Sequence, residues 1–172
     1  MPAEVIKQIN NEFTVQFTVK LTGSMLNDEL ALQAGLNDAG MAAMAPMLKQ
    51  FDTKGEPIRV GGVKHTVKDY APQTYETPYG AVEVERHTYQ TSKGGRAYVP
   101  LEVDGRMILN STPRYSQIIS GKYARFGADA LREDLLECNG RNISRNYAKK
   151  LSDFVGAIAH ARESEWEYDL PE

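Results

Sequence analysis

Residues 140–151 read GRNISRNYAKKL. Arg141, Arg145, Lys149 and Lys150 stand in this stretch with no Asp or Glu among them, although the chain as a whole has a formal net charge of −3. Cations of these types, with Ser144 and Asn146 between them, suit one kind of chemistry: they neutralise phosphates and hydrogen-bond to base edges. Arg145 and Asn146 are the candidates for base edges, because guanidinium and amide groups can form paired hydrogen bonds there. Arg141, Lys149 and Lys150 are the candidates for phosphates, with Lys93 and Arg96 as a second backbone contact from an earlier turn. The same residues also fit a plainly solvated basic face of a helix.

Other chemistries find no comparable grouping. His65, His87 and His160 are scattered, and the single cysteine, Cys138, cannot complete a zinc site of three or four Cys or His ligands. The glycine pairs at 61–62 and 94–95 read as turns, without a Walker loop or a GxGxxG after a strand. Carboxylates are plentiful, but REDLLE at 132–137 reads as an ordinary charged helix face and no spacing marks an acid–base pair. The expectation is therefore no catalytic residue, no metal and no cofactor. One cysteine forms no intrachain disulfide, which suits a reducing cytoplasm. No apolar run approaches the roughly 20 residues that span a bilayer. The start, MPAEVIKQINNEF, lacks the basic-then-apolar order of a secretory signal. A cytoplasmic chain with no membrane partner is expected.

The elements that must position the cations can be read from hydrophobic period. With 172 residues, 41% hydrophobic and 25% charged, the chain can bury one substantial core or two small ones. EFTVQFTVKL at 12–21 alternates and predicts a strand. TGS breaks it, and Ser24 is placed to cap a helix whose first turn holds Asp28. That helix should run toward Phe51, with Pro46 kinking or dividing it and four Met serving as core filler. From Pro57 the pattern is β: a meander of about three antiparallel strands, turning at TPYG (77–80) and TSKGG (91–95), with AYVPLE as a last short strand. Past Thr112 the period is helical. Ser111 or Thr112 should cap a first helix with Pro113 in its opening position, and a second, carrying Ala124, Ala128, Leu131 and Leu135, should stop at Gly140. Ser144 then caps a third, with Tyr147, Ala148, Leu151, Val155 and Ile158 on one stripe. A helix, a glycine-bearing turn and a capped helix with a cationic start is the order of a helix-turn-helix.

The fold class expected is thus α+β: an N-terminal strand and helix, an antiparallel β meander, then a helical part containing a helix-turn-helix. Boundaries are expected at 1–104, 105–162 and an acidic tail or linker at 163–172. Charge is uneven along this order. Seven cations between Arg86 and Arg125 face only Glu102 and Asp104, whereas Glu163, Glu165, Glu167, Asp169 and Glu172 close the chain without a cation. Such asymmetry hints at a polyanionic partner for part of the surface.

Across about residues 72–168, the run TPYGAVEVERHTYQ, a PLE element after a turn, STPR at 111–114 and the GRNISR lead into the next helix closely resemble the N-terminal, non-catalytic region of ISKra-type insertion-sequence DDE transposases. The resemblance implies DNA-end recognition, with double-stranded DNA, such as the terminal inverted repeats of a mobile element, as partner. Some relatives carry a Cys-x-x-Cys knuckle where this chain has TSKGG, so no metal role carries over. The family's RNase H-like domain with its DDE carboxylates is not in the sequence, so the chain as given is not expected to be an enzyme. The alternative is a stand-alone regulatory or protein-interaction subunit of transposase descent, with a homo-oligomer or another protein as partner.

Overall fold

The computed structural model describes residues 3–9 and 12–163 and shows an α+β fold. It divides into two compact units, Met1–Pro113 and Arg114–Glu172. The first unit keeps residues 105–113 because their backbone is tied to its sheet. Asn110 O accepts from Glu76 N at 2.7 Å and Glu76 O accepts from Thr112 N at 3.0 Å.

The first unit begins with an antiparallel strand pair, β1 (Glu4–Ile9) and β2 (Glu12–Gln16). The expected strand over 12–21 is realised only as far as Gln16. Glu4 of β1 is already opposite Gln16, so later residues have no partner strand. Phe17 and Val19 instead lie over Gly35, where an added Cβ would meet the Phe17 ring at 2.7 Å and Val19 at 3.4 Å. Helix α1 (Met25–Lys49) follows. Ser24 occupies the N-cap position but makes no side-chain capping bond. The start is closed by Asp28, whose Oδ1 accepts from Thr22 N at 2.7 Å and Thr22 Oγ1 at 2.8 Å. These bonds hold the Asp28 carboxyl below its usual range. Pro46 does not divide α1, which runs through it and ends three residues later at Lys49.

Four antiparallel strands form the meander in the order β3 (Ile58–Val60), β4 (Val63–Glu76), β5 (Ala81–Thr91) and β6 (Gly94–Tyr98), one strand more than the period suggested. The TPYG turn is locked by Thr77, whose hydroxyl donates to Gly80 O at 2.7 Å and accepts from the amides of Tyr79 and Gly80. AYVPLE is not a strand throughout. β6 stops at Tyr98, and Pro100–Asp104 is a one-turn helix, α2, because Pro100 cannot donate to a ladder but fits a helix start. The core joins Leu48 of α1, Tyr75 of β4, Val82 and Val84 of β5 and Leu101 of α2. Met41 and Met44 pack against it, whereas Met25 and Met47 are exposed, so only half of the four Met act as filler. Tyr75 is fully buried, donates to Glu102 Oε1 at 3.1 Å, and has its phenol pushed well above the usual range, first by burial and then by Glu102. The same carboxylate pairs with Arg86 Nε at 3.2 Å. Beyond Arg86 the buried parity of β5 changes. Tyr89 is fully buried, donates to Glu56 O at 3.0 Å and accepts from Thr53 Oγ1 at 2.6 Å.

The described residues of the second unit are helical on either side of the turn at 140–144. α3 (Pro113–Asn139) is two helices joined across Gly127, whose φ of 75° and ψ of −177° suit only glycine. Ala124 therefore belongs to the piece before the break and is exposed, while Leu131 and Leu135 beyond it are buried. Neither residue expected to cap α3 does so: Ser111 Oγ donates to Thr112 O at 3.4 Å, and Thr112 Oγ1 is buried without a hydrogen-bond partner. α4 (Arg145–Glu163) follows the turn at Gly140 and ends the described residues. Apart from Glu163, the expected acidic tail lies outside them.

Close packing of α1 on the TPYG turn gives a test of the first unit. A Cβ at Gly40 would overlap the ring of Tyr79 at its Cγ, so the ring as a whole would have to shift. Gly40→Ala should lower unfolding stability by about 1–3 kcal/mol despite its better helix propensity, and Leu48→Ala by about 2–5 kcal/mol. Urea denaturation followed by far-UV circular dichroism measures both; a Gly40→Ala variant as stable as wild type would contradict the packing.

Candidate nucleic-acid interface

The candidate residues sit on a turn and a helix start whose geometry follows from two local rules. The piece of α3 after Gly127 cannot continue past Asn139, because Gly140 takes φ 62°. In that left-handed conformation its amide donates to Leu136 O at 3.0 Å and the amide of Arg141 to Leu135 O at 2.9 Å, which satisfies carbonyls left open at the helix end. Four residues later Ser144 starts α4: its Oγ accepts from Tyr147 N at 3.0 Å and its carbonyl from Ala148 N at 3.1 Å. Arg132 Nε donates to Ile143 O at 2.8 Å and so pins the turn to the preceding helix. Ile143, Ala148 and Leu151 are buried, Tyr147 and Val155 half-buried. Ile158, expected on the same apolar stripe, is exposed, and so is Phe154.

This arrangement brings Arg141, Ser144, Arg145, Asn146, Lys149 and Lys150 together on the turn and the first turns of α4. Their states differ. Arg141 is half-buried, with its guanidinium carbon 5.3 Å from the centroid of the Tyr115 ring, a cation–π distance. Arg145 is engaged side-on by Asp129, with Nε donating to Oδ1 at 2.6 Å and Nη2 to Oδ2. Lys149 donates to Asp153 Oδ2 at 2.8 Å, one helical turn on. That hydrogen bond and the carboxylate charge hold the lysine's pKa above its usual value. Asn146 and Lys150 are exposed, and Lys150 has no ion pair among the described residues. An open cleft of about 400 Å³ lies beside Arg145, lined by Asp129, Arg132, Glu133, Leu136 and Asn142.

Lys93 and Arg96 belong to the first unit. Both are exposed, Lys93 in the β5–β6 turn and Arg96 on β6, where it lines a second cleft of about 420 Å³ with His65, Tyr98 and Glu102. The histidines do not meet: His65 Nδ1 donates to Val63 O at 3.0 Å, and His87 pairs with Asp52 at 2.9 Å. Among the described residues no group of three or more His, Cys, Asp and Glu is placed to hold a metal ion, and no helix is long and apolar enough to cross a membrane.

Sequence reasoning missed the carboxylates. Asp153 could have been found, since it lies four residues after Lys149 on a helix. Asp129 could not, because sixteen residues and a turn separate it from Arg145. Comparison with known proteins finds no matching family model, curated protein or solved structure.

The cap and the left-handed turn make measurable contributions. Ser144→Ala should cost about 1 kcal/mol, and Gly140→Ala about 1–2 kcal/mol by forcing a Cβ into the left-handed region. Thermal melting reads both. Ser144→Asp should retain the wild-type melting temperature, and a fall as large as that of Ser144→Ala would remove the capping role.

Proposed function

We propose that the chain is a DNA-binding module comparable to the end-recognition region of an insertion-sequence transposase, acting as a helix-turn-helix in which α4 enters the major groove of double-stranded DNA. The observation that carries this reading is the start of α4. A glycine turn and a serine cap set a helix whose first turns present Arg145, Asn146, Lys149 and Lys150 to solvent, above buried Ala148 and Leu151. Two features favour groove contact over a merely solvated face. The exposed amide and guanidinium are adjacent at the helix start, where recognition helices make base contacts. The turn before the cap adds a further cation beside the helix start, Arg141, half-buried over the Tyr115 ring. Lys150 is assigned to a phosphate, as are Arg141 and Lys149, with Lys93 and Arg96 as a separate backbone contact from the first unit. Terminal inverted repeats of a mobile element are the natural target, the cytoplasm the natural compartment, and no catalytic step is assigned to the chain.

A second reading, as a protein-interaction subunit, is favoured by one observation. Leu21, Met25, Leu26, Leu30 and Leu36 are all exposed along the first half of α1 and the segment before it. Apolar groups grouped in this way mark contact surfaces more often than chance.

Fluorescence anisotropy of labelled random-sequence duplex across a salt series decides between them. Wild type should bind with a steep negative dependence of log K on log salt. Arg145→Glu with Lys149→Glu should abolish binding, and Lys150→Ala should reduce the slope by about one. Lys149→Ala should reduce it by less, since Asp153 already neutralises part of that charge. No binding at low salt, or binding indifferent to the double charge reversal, would sink the recognition-helix assignment.

A further inference from the structure

We infer that Asp129 fixes what Arg145 reads, holding its guanidinium so that it recognises a guanine, an inference that rests on the DNA-binding reading above. A guanidinium has five N–H donors in one plane, arranged as a side edge and an end edge. Asp129 occupies the side edge, Oδ1 on Nε at 2.6 Å and Oδ2 on Nη2. The end edge remains, with Nη1 and the second hydrogen of Nη2 as two parallel donors. In the major groove only guanine sets two acceptors, O6 and N7, side by side to receive such a pair; adenine puts a donor beside N7, and cytosine and thymine each lack N7.

Exposure determines what the ion pair can contribute. The Arg145 and Asp129 side chains are 64% and 59% exposed, so the pair adds little to folding. Its effect is on orientation. Arginine is long and loses rotamer freedom when it binds, and a second contact that fixes it beforehand removes part of that loss. Asp129 is itself well placed to do this, since its helix is pinned to the turn by the Arg132–Ile143 bond. The carboxylate also disfavours the rival role, because a phosphate drawn to Arg145 would approach Asp129 as well. Lys149 offers a contrast. Asp153 holds it through a single Nζ contact, and an ammonium has no edge to orient. Asp153 therefore tempers charge, whereas Asp129 imposes direction.

The test is selection from a random-sequence duplex pool with the full chain, comparing wild type, Asp129→Asn, Arg145→Lys and Lys150→Ala. Wild type should enrich a site with one fixed guanine. Arg145→Lys and Asp129→Asn should relax that position by about 5- to 150-fold, the range of one good bidentate contact, and leave other positions selective. Asp129→Asn should bind random duplex at least as well as wild type, because it removes a negative charge; Lys150→Ala should weaken all sequences alike. Melting curves of the Asp129 and Arg145 variants should match wild type, given their exposure, and Asp129→Ser repeats the test should Asp129→Asn melt early. A guanine position left sharp by Asp129→Asn, or an Arg145→Lys variant that loses affinity uniformly, overturns the inference. Wild type that binds duplex without base preference overturns it too and leaves the DNA-binding reading standing. Wild type that binds no duplex overturns both.

Discussion

Every helix leaves backbone groups without partners at its two ends, and the architecture of this chain depends on how those groups are satisfied. At the start of α1 Ser24 offers no side-chain cap, and Asp28 in the first turn accepts from the amide and hydroxyl of Thr22, which ties the incoming segment to the helix. At the start of α2 a proline makes the missing donor harmless. The end of α3 and the start of α4 are closed within five residues, by the left-handed Gly140 and by Ser144. That spacing decides where the cations fall.

Charge in the second unit is more balanced than a linear reading of residues 140–151 implies. The stretch contains no acid, yet two of its four cations have carboxylates in contact, one from α3 and one from further along α4. A third is drawn back over an aromatic ring. The helix start is thus not a diffuse positive surface but a set of cations in distinct, partly fixed states. Lys150 is the one closest to an unconstrained point charge. On the proposed reading, affinity for phosphate and discrimination among bases belong to different side chains, a division of labour common where a protein must be held on DNA and also choose its site.

Much of this was legible in the sequence, and the failures have physical causes. The α+β class, the meander, the TPYG turn, the Gly140 stop and the Ser144 cap follow from period and turn chemistry, which are local. Pro46 does not divide α1, since the helix ends at Lys49, only three residues beyond it. The strand from Glu12 was overextended because alternation reports a face and not the presence of a partner strand. Ser111 and Thr112 look like caps, but the backbone of Ser111 is paired with Ile108 and the amide of Thr112 with Glu76, so tertiary pairing displaced the local role. Within the candidate site, the residues on α4 could be named from spacing alone. Asp129 and Tyr115 could not, since both reach their arginines through the fold.

Helix α1 carries a different consequence. Among the residues of β1, β2 and α1, Leu48 is the only one buried, and it sits at the helix's far end. The last turns of α1 are anchored by the Leu48–Tyr75–Val82–Val84–Leu101 cluster, while its first turns rest on a two-stranded ribbon, a support that is marginal by itself. Amides along one continuous helix therefore differ in the free energy needed to expose them. Those near Met25 open by local fluctuation, and those near Leu48 open only with the core. One continuous helix thus has a firmly anchored end and a weakly supported one, a difference that hydrogen exchange along α1 would read.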